Sequence, residues 1–330
     1  MGTTASDDAM ESMTLRIQFC VLVVSVLCAC AALSQESADP LAASRALLAS
    51  GQLAKSEASL RAYLSNHPAS ADARFLLGYV LFREQRAQDS LAEFTAGAKV
   101  RRPKPDELKT VASDYVLLHD YSDADKWFTA ITVENPADAE AWYLLGRTKY
   151  NEERYDEAVP NFTHALLLHP RYIEAENNLG LSWRELNKLD QAKAAFQAAI
   201  DWQGSSPVDA QPYLNLGTLL TEQGDLEKAI PNLVQAVALS PNNPKTHEQL
   251  ASAYGAQNNL AQAQSELERA VAIAPDISSL HYKLAEIYRK QGLKDLARRE
   301  FEICEKLGST HSSNTTPNPL QLKEPAPNKP

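Results

Sequence analysis

The stretch Ala141–Pro170, AWYLLGRTKYNEERYDEAVPNFTHALLLHP, decides the fold because it contains two segments with the period of an amphipathic helix. Each segment has one stripe at that period: Trp142, Leu145 and Lys149 in the first, and Ala158, Phe162 and Ala165 in the second. Gly146 lies opposite the two alanines, which lets the helix backbones approach closely. Asp156 is the predicted N-cap of the second helix, and Pro170 ends it. The stretch therefore predicts two short helices folded back on each other.

This hairpin resembles the tetratricopeptide repeat, whose pattern is W-x-x-L-G-x-x-Y, then A-x-x-x-F-x-x-A, then P. The residues that match are Trp142, Leu145, Gly146, Ala158, Phe162, Ala165 and Pro170. Lys149 departs from the pattern, because it stands where the family has an aromatic residue, and Tyr150 follows one place later. The resemblance implies an all-α, right-handed superhelical α-solenoid whose first helices line a concave groove for peptides or partner helices.

The same pattern recurs with a 34-residue period and predicts about eight helix-turn-helix units. Repeats 1–5 occupy residues 37–206 and repeats 6–8 occupy residues 210–311, with the insertion Pro207–Asp209 between them. The Leu-Gly pair recurs at Leu77-Gly78, Leu145-Gly146, Leu179-Gly180 and Leu216-Gly217. The first repeat lacks this pair and is predicted to be a degenerate capping unit.

Residues 1–34 have the features of an export leader. Arg16 precedes an apolar run over residues 17–33, and small residues follow, which favours a cleaved secretory signal. The first alternative is a retained membrane anchor, because about 17 apolar residues is the lower limit for a span. The second is a lipoprotein signal at Leu27-Cys28-Ala29-Cys30, in which Cys30 is lipidated and tethers the protein to a membrane. Residues 312–330 are rich in Pro, Ser, Thr and Asn and are predicted to be a disordered tail.

The composition limits the class of partner and of chemistry. The net charge is −10 and no basic stripe occurs, which argues against nucleic acid. Three of the four cysteines lie in the leader, so no disulfide framework is expected. The sequence has no nucleophile elbow and no phosphate loop, and the seven histidines lie at unrelated repeat places with no metal-ligand spacing. We therefore predict no catalytic residue, metal or cofactor, and a protein that is not an enzyme.

Two sets of residues are candidates for binding a partner on the face formed by the first helices. The first set is an apolar contact for a partner helix or a second copy, and consists of Phe75, Tyr79, Phe82, Tyr143 and Tyr150, with Arg147 between the last two. The alternative for these rings is internal packing against the first repeat. The second set, Asn178 and Asn215, resembles the asparagine ladder with which some family members grip an extended peptide. The alternative for these amides is a solvated polar position.

The sequence therefore predicts an exported scaffold or adaptor that binds a protein or peptide in the concave groove. The alternative is a membrane-anchored accessory subunit of an envelope enzyme or assembly complex. The leader favours a bacterial envelope, with a periplasmic location, and membrane anchoring or secretion are the other outcomes.

Overall fold

The computed structural model describes residues 39–313, which belong to two compact units divided between Asp120 and Tyr121. The predicted leader, including Cys30, and the tail from residue 314 onward lie outside the described residues. The division does not fall at the insertion Pro207–Asp209, but within the third predicted repeat.

The first unit consists of two helical hairpins and a fifth helix. Its helices are α1 (Ala42–Ala49), α2 (Leu53–Asn66), α3 (Ala71–Arg83), α4 (Ala87–Ala98) and α5 (Pro105–Leu117). The core includes Leu60, Leu77 and Leu81, whose side chains are fully buried. The predicted degenerate first repeat is thus a hairpin whose first helix has only eight residues.

The second unit begins with one helix and continues with five hairpins. Its helices are α6 (Tyr121–Glu134), α7 (Ala139–Asn151), α8 (Tyr155–Leu168), α9 (Ile173–Glu185), α10 (Leu189–Asp201), α11 (Gln211–Glu222), α12 (Leu226–Leu239), α13 (Pro244–Ala256), α14 (Leu260–Ile273), α15 (Ser278–Lys290) and α16 (Lys294–Ser313). Within residues 39–313 the chain therefore forms sixteen helices and no strand, which confirms the predicted all-α repeat fold of about eight units.

The turn between the two helices of every repeat has the same conformation. The fifteenth residue of each frame has a positive φ: Gly51, Gln85, His119, Glu153, Asn187, Gly224, Asn258 and Gly292. The next residue donates its N–H to the carbonyl five places earlier, as Arg154 does to Lys149 at 2.9 Å. This is the Schellman ending of a helix. The turn residue therefore takes the same place of the 34-residue frame on both sides of the insertion.

This turn also fixes where the second helix begins. Glu153 takes the left-handed conformation at φ 60° and Arg154 is the N-cap, so α8 begins at Tyr155. Asp156 therefore lies in the first turn and is not the N-cap, which corrects the sequence prediction. Its charge still lies at the positive end of the helix.

The glycine of the Leu-Gly pair lets the second helix pack directly on the backbone of the first. A Cβ placed on Gly146 would lie 2.7 Å from the ring of Phe162, and one on Gly180 would lie 2.6 Å from the ring of Phe196. Both rings are fully buried. The recurring glycine is thus required by close contact with the side chain that the repeat pattern places opposite it.

The insertion before α11 is held by a single side chain. Gln203 accepts the N–H groups of Val208 and Asp209 at 3.0 and 2.8 Å, and it donates to the carbonyl of Asp209 at 3.1 Å. The extra residues therefore form an ordered loop, and the repeat frame resumes at α11.

Candidate protein-binding surface

In each unit the first helices of successive repeats lie side by side and expose one face, which we call the first-helix face. In the first unit it is formed by α1, α3 and α5, and a cavity of about 430 Å³ opens there. Leu48, Phe75, Leu76, Tyr79 and Phe94 form an apolar floor, and Arg45, Asp72, Lys104 and Glu107 lie at the charged rim. Two residues predicted from the sequence, Phe75 and Tyr79, therefore belong to one cavity.

Phe75 does not have the exposed position that the sequence analysis gave it. Only 2% of the residue is accessible, its ring centroid lies 5.7 Å from that of Phe94, and a Cβ on Gly97 would come within 2.6 Å of the ring. The ring turns inward because Gly97 stands where most other repeats have an alanine. Phe75 is therefore a core residue at the bottom of the cavity, and it packs within its own repeat.

Tyr79 and Phe82 remain partly accessible on α3. Their ring centroids lie 6.2 Å apart, and both side chains are half-buried. Tyr79 is therefore the aromatic residue of this cavity that a bound segment can reach without moving the core.

Arg101 organises one side of the cavity. Its Nη2 atom lies 2.6 Å from Oδ1 of Asp72 and 2.7 Å from Oε1 of Glu107, and the guanidinium stacks 4.5 Å over the ring of Phe75. The hydrogen bond from Arg101 holds the pKa of Asp72 below its usual value. These contacts fix the rim between α3 and α5 in one arrangement.

Tyr143, Arg147 and Tyr150 lie together on α7 in the second unit. Tyr143 is half-buried against Tyr172, with centroids 4.9 Å apart, and burial raises the pKa of its phenol. Arg147 is exposed and its guanidinium lies 5.7 Å from the Tyr143 ring. Tyr150 meets Tyr155 edge to face at 5.2 Å. The structure thus brings these three residues to one surface, and their binding role stays a prediction.

The two asparagines of the predicted ladder are not used in the same way. Asn178 donates its Nδ2 to the carbonyl of Glu174 in its own helix at 2.7 Å. Asn215 instead donates to Oδ1 of Asn177, on the neighbouring first helix, at 2.8 Å. The structure therefore pairs Asn177 with Asn215 and leaves Asn178 outside that pair. The role of Asn178 and Asn215 in binding a peptide stays a prediction.

The same cross-helix pairing recurs two repeats later with charged residues. Lys283 donates to Glu248 on the preceding first helix, and Lys245 donates to the other carboxylate oxygen at 2.8 Å. Burial acts to raise the pKa of Glu248, but the hydrogen bonds from the two lysines outweigh it and the pKa lies below its usual value. Lys283 is not among the residues predicted from the sequence. The spacing of Asn177 and Asn215, less the three-residue insertion, nevertheless equals that of Glu248 and Lys283.

The buried ion pairs of Lys149 explain why this position departs from the family pattern. Its Nζ lies 2.7 Å from Oδ2 of Asp125 and 3.3 Å from Oε2 of Glu157, and only 9% of its side chain is accessible. The buried ammonium replaces the aromatic ring with an ion pair between α6 and α7.

Two arginines at equivalent repeat places collect three carboxylates each. Arg86 pairs with Glu57, Glu84 and Asp89, and Arg154 pairs with Asp125, Glu152 and Glu157. In both cases the arginine follows the left-handed turn residue and reaches back to the previous second helix. These networks are structural features of the fold.

Two of the seven histidines share a repeat place, which corrects the sequence prediction. His247 and His281 occupy the same place in successive repeats, and the Nε2 of each donates to the carbonyl of the preceding proline at 2.9 Å. Their Nδ1 atoms lie 2.6 Å from Glu266 and Glu300. Trp142 and Arg74 make the corresponding bonds to Pro136 and Pro68. Each of these four side chains thus connects its own repeat to the loop before it.

Neither a metal site nor a membrane span is found in the part of the chain that the structure describes. Among residues 39–313, no group of three or more His, Cys, Asp or Glu side chains has the arrangement of a metal site. Within the same residues, every helix is too short or too polar to cross a bilayer.

Comparison with known proteins places the chain in a family. The family model described as tetratricopeptide repeat matches residues 41–106, 112–162, 144–205 and 177–244, and a second model with the same description matches residues 220–287. The chain belongs to the tetratricopeptide repeat family, as the sequence pattern predicted.

Solved structures share the fold. The structure of a tetratricopeptide repeat protein from Parabacteroides merdae superimposes with a TM-score of 0.61 at 19% identity, over 76% of this chain and 97% of that one. A chain of the APC/C hetero-tetramer Cut9-Hcn1 gives a TM-score of 0.58 at 17% identity, over 78% of this chain and 50% of that one. At these identities the likeness extends to the fold alone.

A curated relative matches a part of the chain. The human protein O-mannosyl-transferase TMTC1 is 28% identical over 180 residues, which are 53% of this chain and 20% of that protein. The chain spans about a fifth of the length of the curated relatives it matches, between 16% and 20%.

Proposed function

We propose that the protein is an exported scaffold or adaptor that binds a segment of another protein on its first-helix face. The observation that carries this proposal is the cavity of about 430 Å³ in the first unit, with its apolar floor and charged rim. A concave site that is mostly apolar and has a few fixed polar groups suits an inserted side chain with a polar backbone around it. The membership of the repeat family supports the same kind of partner.

Two further observations support binding and not catalysis. The clustered titratable groups around Arg86, Arg154, His247 and His281 form ion pairs that connect one helix to another. The aromatic residues Tyr79, Tyr143 and Tyr150 remain partly accessible on first helices. Aromatic and arginine side chains are the residue types that dominate binding energy at protein interfaces.

The proposed location rests on the leader. The apolar run over residues 17–33 after Arg16 favours export to a bacterial periplasm, with Cys30 as the candidate lipidation site. Mass spectrometry of the mature N-terminus distinguishes a cleaved signal, a lipidated Cys30 and a retained helix. Lipidation together with co-purification of a membrane complex favours the accessory-subunit alternative.

The function is tested by comparing partner capture between matched variants. Tyr79→Glu places a charge at the cavity, and we expect it to abolish capture of the protein that the wild type retains from its own cells. Gln88→Glu adds the same charge to an exposed position of α4 and is expected to leave capture unchanged. Equal capture by both variants, with equal unfolding temperatures, contradicts the proposal.

A further inference from the structure

A second cavity lies on the first-helix face of the second unit, between α13 and α15. Its volume is about 320 Å³. On one side it is lined by small residues of α13, which include Ser252, Gly255 and Ala256, and on the other by Ile287 and Lys290 of α15. The cavity is distinct from the one in the first unit and contains none of the residues selected from the sequence.

Gly255 opens this cavity. Its equivalent places in other repeats of the second unit carry Tyr150, Arg184, Thr221 and Arg289. A Cβ on Gly255 would meet only Cδ1 of Ile287, at 3.7 Å, which is an ordinary van der Waals distance. Helix packing therefore does not require glycine here, in contrast to Gly146, where the same atom would lie 2.7 Å from a buried ring. The missing side chain leaves room in front of α13.

The walls of the cavity suit an aliphatic side chain. Ala251, Leu267 and Ile287 line it with apolar atoms, and the hydroxyl of Ser252 already donates to the carbonyl of Glu248 at 2.9 Å. A closed cavity of about 150 Å³ is large enough to hold benzene, so this open one accommodates a leucine or isoleucine side chain.

The two first helices beside the cavity carry a net positive charge, although the whole chain is acidic. Helices α13 and α15 carry Lys245, Lys283, Arg289 and Lys290 against Glu248 and Glu286, which gives four minus two, or +2, whereas the whole chain has −10. Both carboxylates are already held, Glu248 by two lysines and Glu286 by Arg289 at 2.5 Å. Lys290 is exposed, and within residues 39–313 it takes part in none of the ion pairs. Its ammonium is therefore available to a bound carboxylate.

We propose that this surface binds an acidic segment of a partner protein, which inserts one aliphatic side chain in front of Gly255 and pairs a neighbouring carboxylate with Lys290. The proposal rests on the proposed function and names the chemistry of the partner. A leucine flanked by Asp or Glu satisfies both features, because the apolar cavity and the free ammonium lie side by side on α13 and α15.

The test uses the full chain and the fluorescein-labelled peptide EDLEDLED with an amidated C-terminus, so that no terminal carboxylate contributes. We expect saturable binding by fluorescence anisotropy. Gly255→Leu fills the cavity and is expected to weaken binding by about tenfold or more, since it excludes one buried aliphatic side chain. Gly255→Ala is the matched control, which adds one methyl group and is expected to change the affinity by less than about threefold.

The charge requirement is tested separately. Lys290→Glu is expected to weaken binding by about fivefold or more and to reduce its dependence on salt. Arg299→Glu makes the same change of charge on the exposed face of α16 and is expected to have no effect. The peptide EDSEDSED, which lacks the aliphatic side chains, is expected to bind no better to the wild type than to Gly255→Leu.

Other occupants of the cavity give different results. If a chain ending at residue 313 binds the probe more tightly than the full chain, the tail occupies the cavity and the proposal is overturned. Self-association that Gly255→Leu abolishes would assign the surface to a second copy and would overturn the proposal. Equal binding of the probe by Gly255→Leu and Gly255→Ala would also overturn it. If Gly255→Leu captures the natural partner normally and Tyr79→Glu does not, this inference fails while the proposed function stands.

Discussion

The hydroxyl of Ser90 lies 2.6 Å from Oδ2 of Asp114 and 2.8 Å from the carbonyl oxygen of Gly78, with all three groups buried in the first unit. A hydroxyl has a single proton, and the carbonyl can only accept. The carboxyl group therefore supplies the second proton when both bonds are made, which means that Asp114 is neutral in this arrangement. Burial raises the pKa of Asp114 to about 7, in agreement with this geometry.

We predict that Asp114 makes the stability of the protein depend on pH. The unfolded chain releases this proton near pH 4 and the folded chain near pH 7, so the free energy of unfolding falls as the pH rises between these values, by up to about 1.4 kcal/mol per pH unit. Asp114→Asn keeps a donor toward Ser90 and cannot ionise. It is expected to be more stable than the wild type at pH 8 by a few kcal/mol and equally stable at pH 4, by urea unfolding. A wild-type advantage at pH 8 would contradict a neutral Asp114.

Two glycines give a matched prediction about packing. Gly146→Ala forces a methyl group to 2.7 Å from the Phe162 ring and is expected to lower the free energy of unfolding by about 1–3 kcal/mol. Gly255→Ala meets nothing closer than 3.7 Å and is expected to raise it by up to about 1 kcal/mol, because alanine favours the helix. Urea unfolding of both variants checks the opposite signs, and equal signs would contradict the packing argument.

The ion pair that Lys149 makes between α6 and α7 is predicted to contribute to the stability of the fold. Lys149→Met keeps the length of the side chain but leaves Asp125 without its nearest cation, and we expect a loss of about 2–4 kcal/mol in the free energy of unfolding at pH 7. Lys126→Met, which removes an exposed pair with Asp123, is the control and is expected to cost less than about 1 kcal/mol.

The loss of stability in Lys149→Met is expected to depend on pH in the opposite direction to the contribution of Asp114. Burial acts to raise the pKa of Asp125, but the hydrogen bonds from Lys149 and Arg154 hold it below its usual value. The stabilisation is therefore complete above about pH 4 and is lost as the pH falls further. The free energies of unfolding of the wild type and of Lys149→Met are expected to converge in acid. A constant difference between them down to pH 2 would show that the ion pair is not the source of the loss.

His281 is predicted to stabilise the fold through its bonds to the preceding loop and to the second helix of its own repeat. His281→Leu removes the bonds to Pro275 and Glu300 and is expected to lower the free energy of unfolding by about 2–3 kcal/mol. Glu300→Gln keeps an acceptor for the imidazole ring. It is expected to lower the free energy of unfolding by less than half as much as His281→Leu. Thermal unfolding followed by circular dichroism measures both, and a neutral effect of His281→Leu would mean that water replaces these bonds.

The sequence predicted the fold because the repeat pattern is local. Gly146 and Phe162 lie on the two helices of one hairpin, joined by a short loop. Their spacing in the repeat pattern therefore indicates the contact that the structure shows. The left-handed turn residue recurs at one place of the 34-residue frame on both sides of Pro207–Asp209. The start of α8 was misplaced because the left-handed turn at Glu153 uses a residue other than glycine, which no composition signal marks.

The sequence by itself thus determined the helices, their pairing and the side of each helix that becomes core, because these follow from the period of one segment and its neighbour. Only the tertiary structure decided what the first-helix face presents. Phe75 points inward because Gly97 leaves room on another helix, and Asn215 bonds to Asn177 and not Asn178. A cavity opens at Gly255 because this residue has no side chain and the nearest neighbour of a Cβ there, Ile287, would lie 3.7 Å away. The direction of such a side chain depends on the size and charge of residues on adjacent helices, which the repeat pattern leaves free to vary.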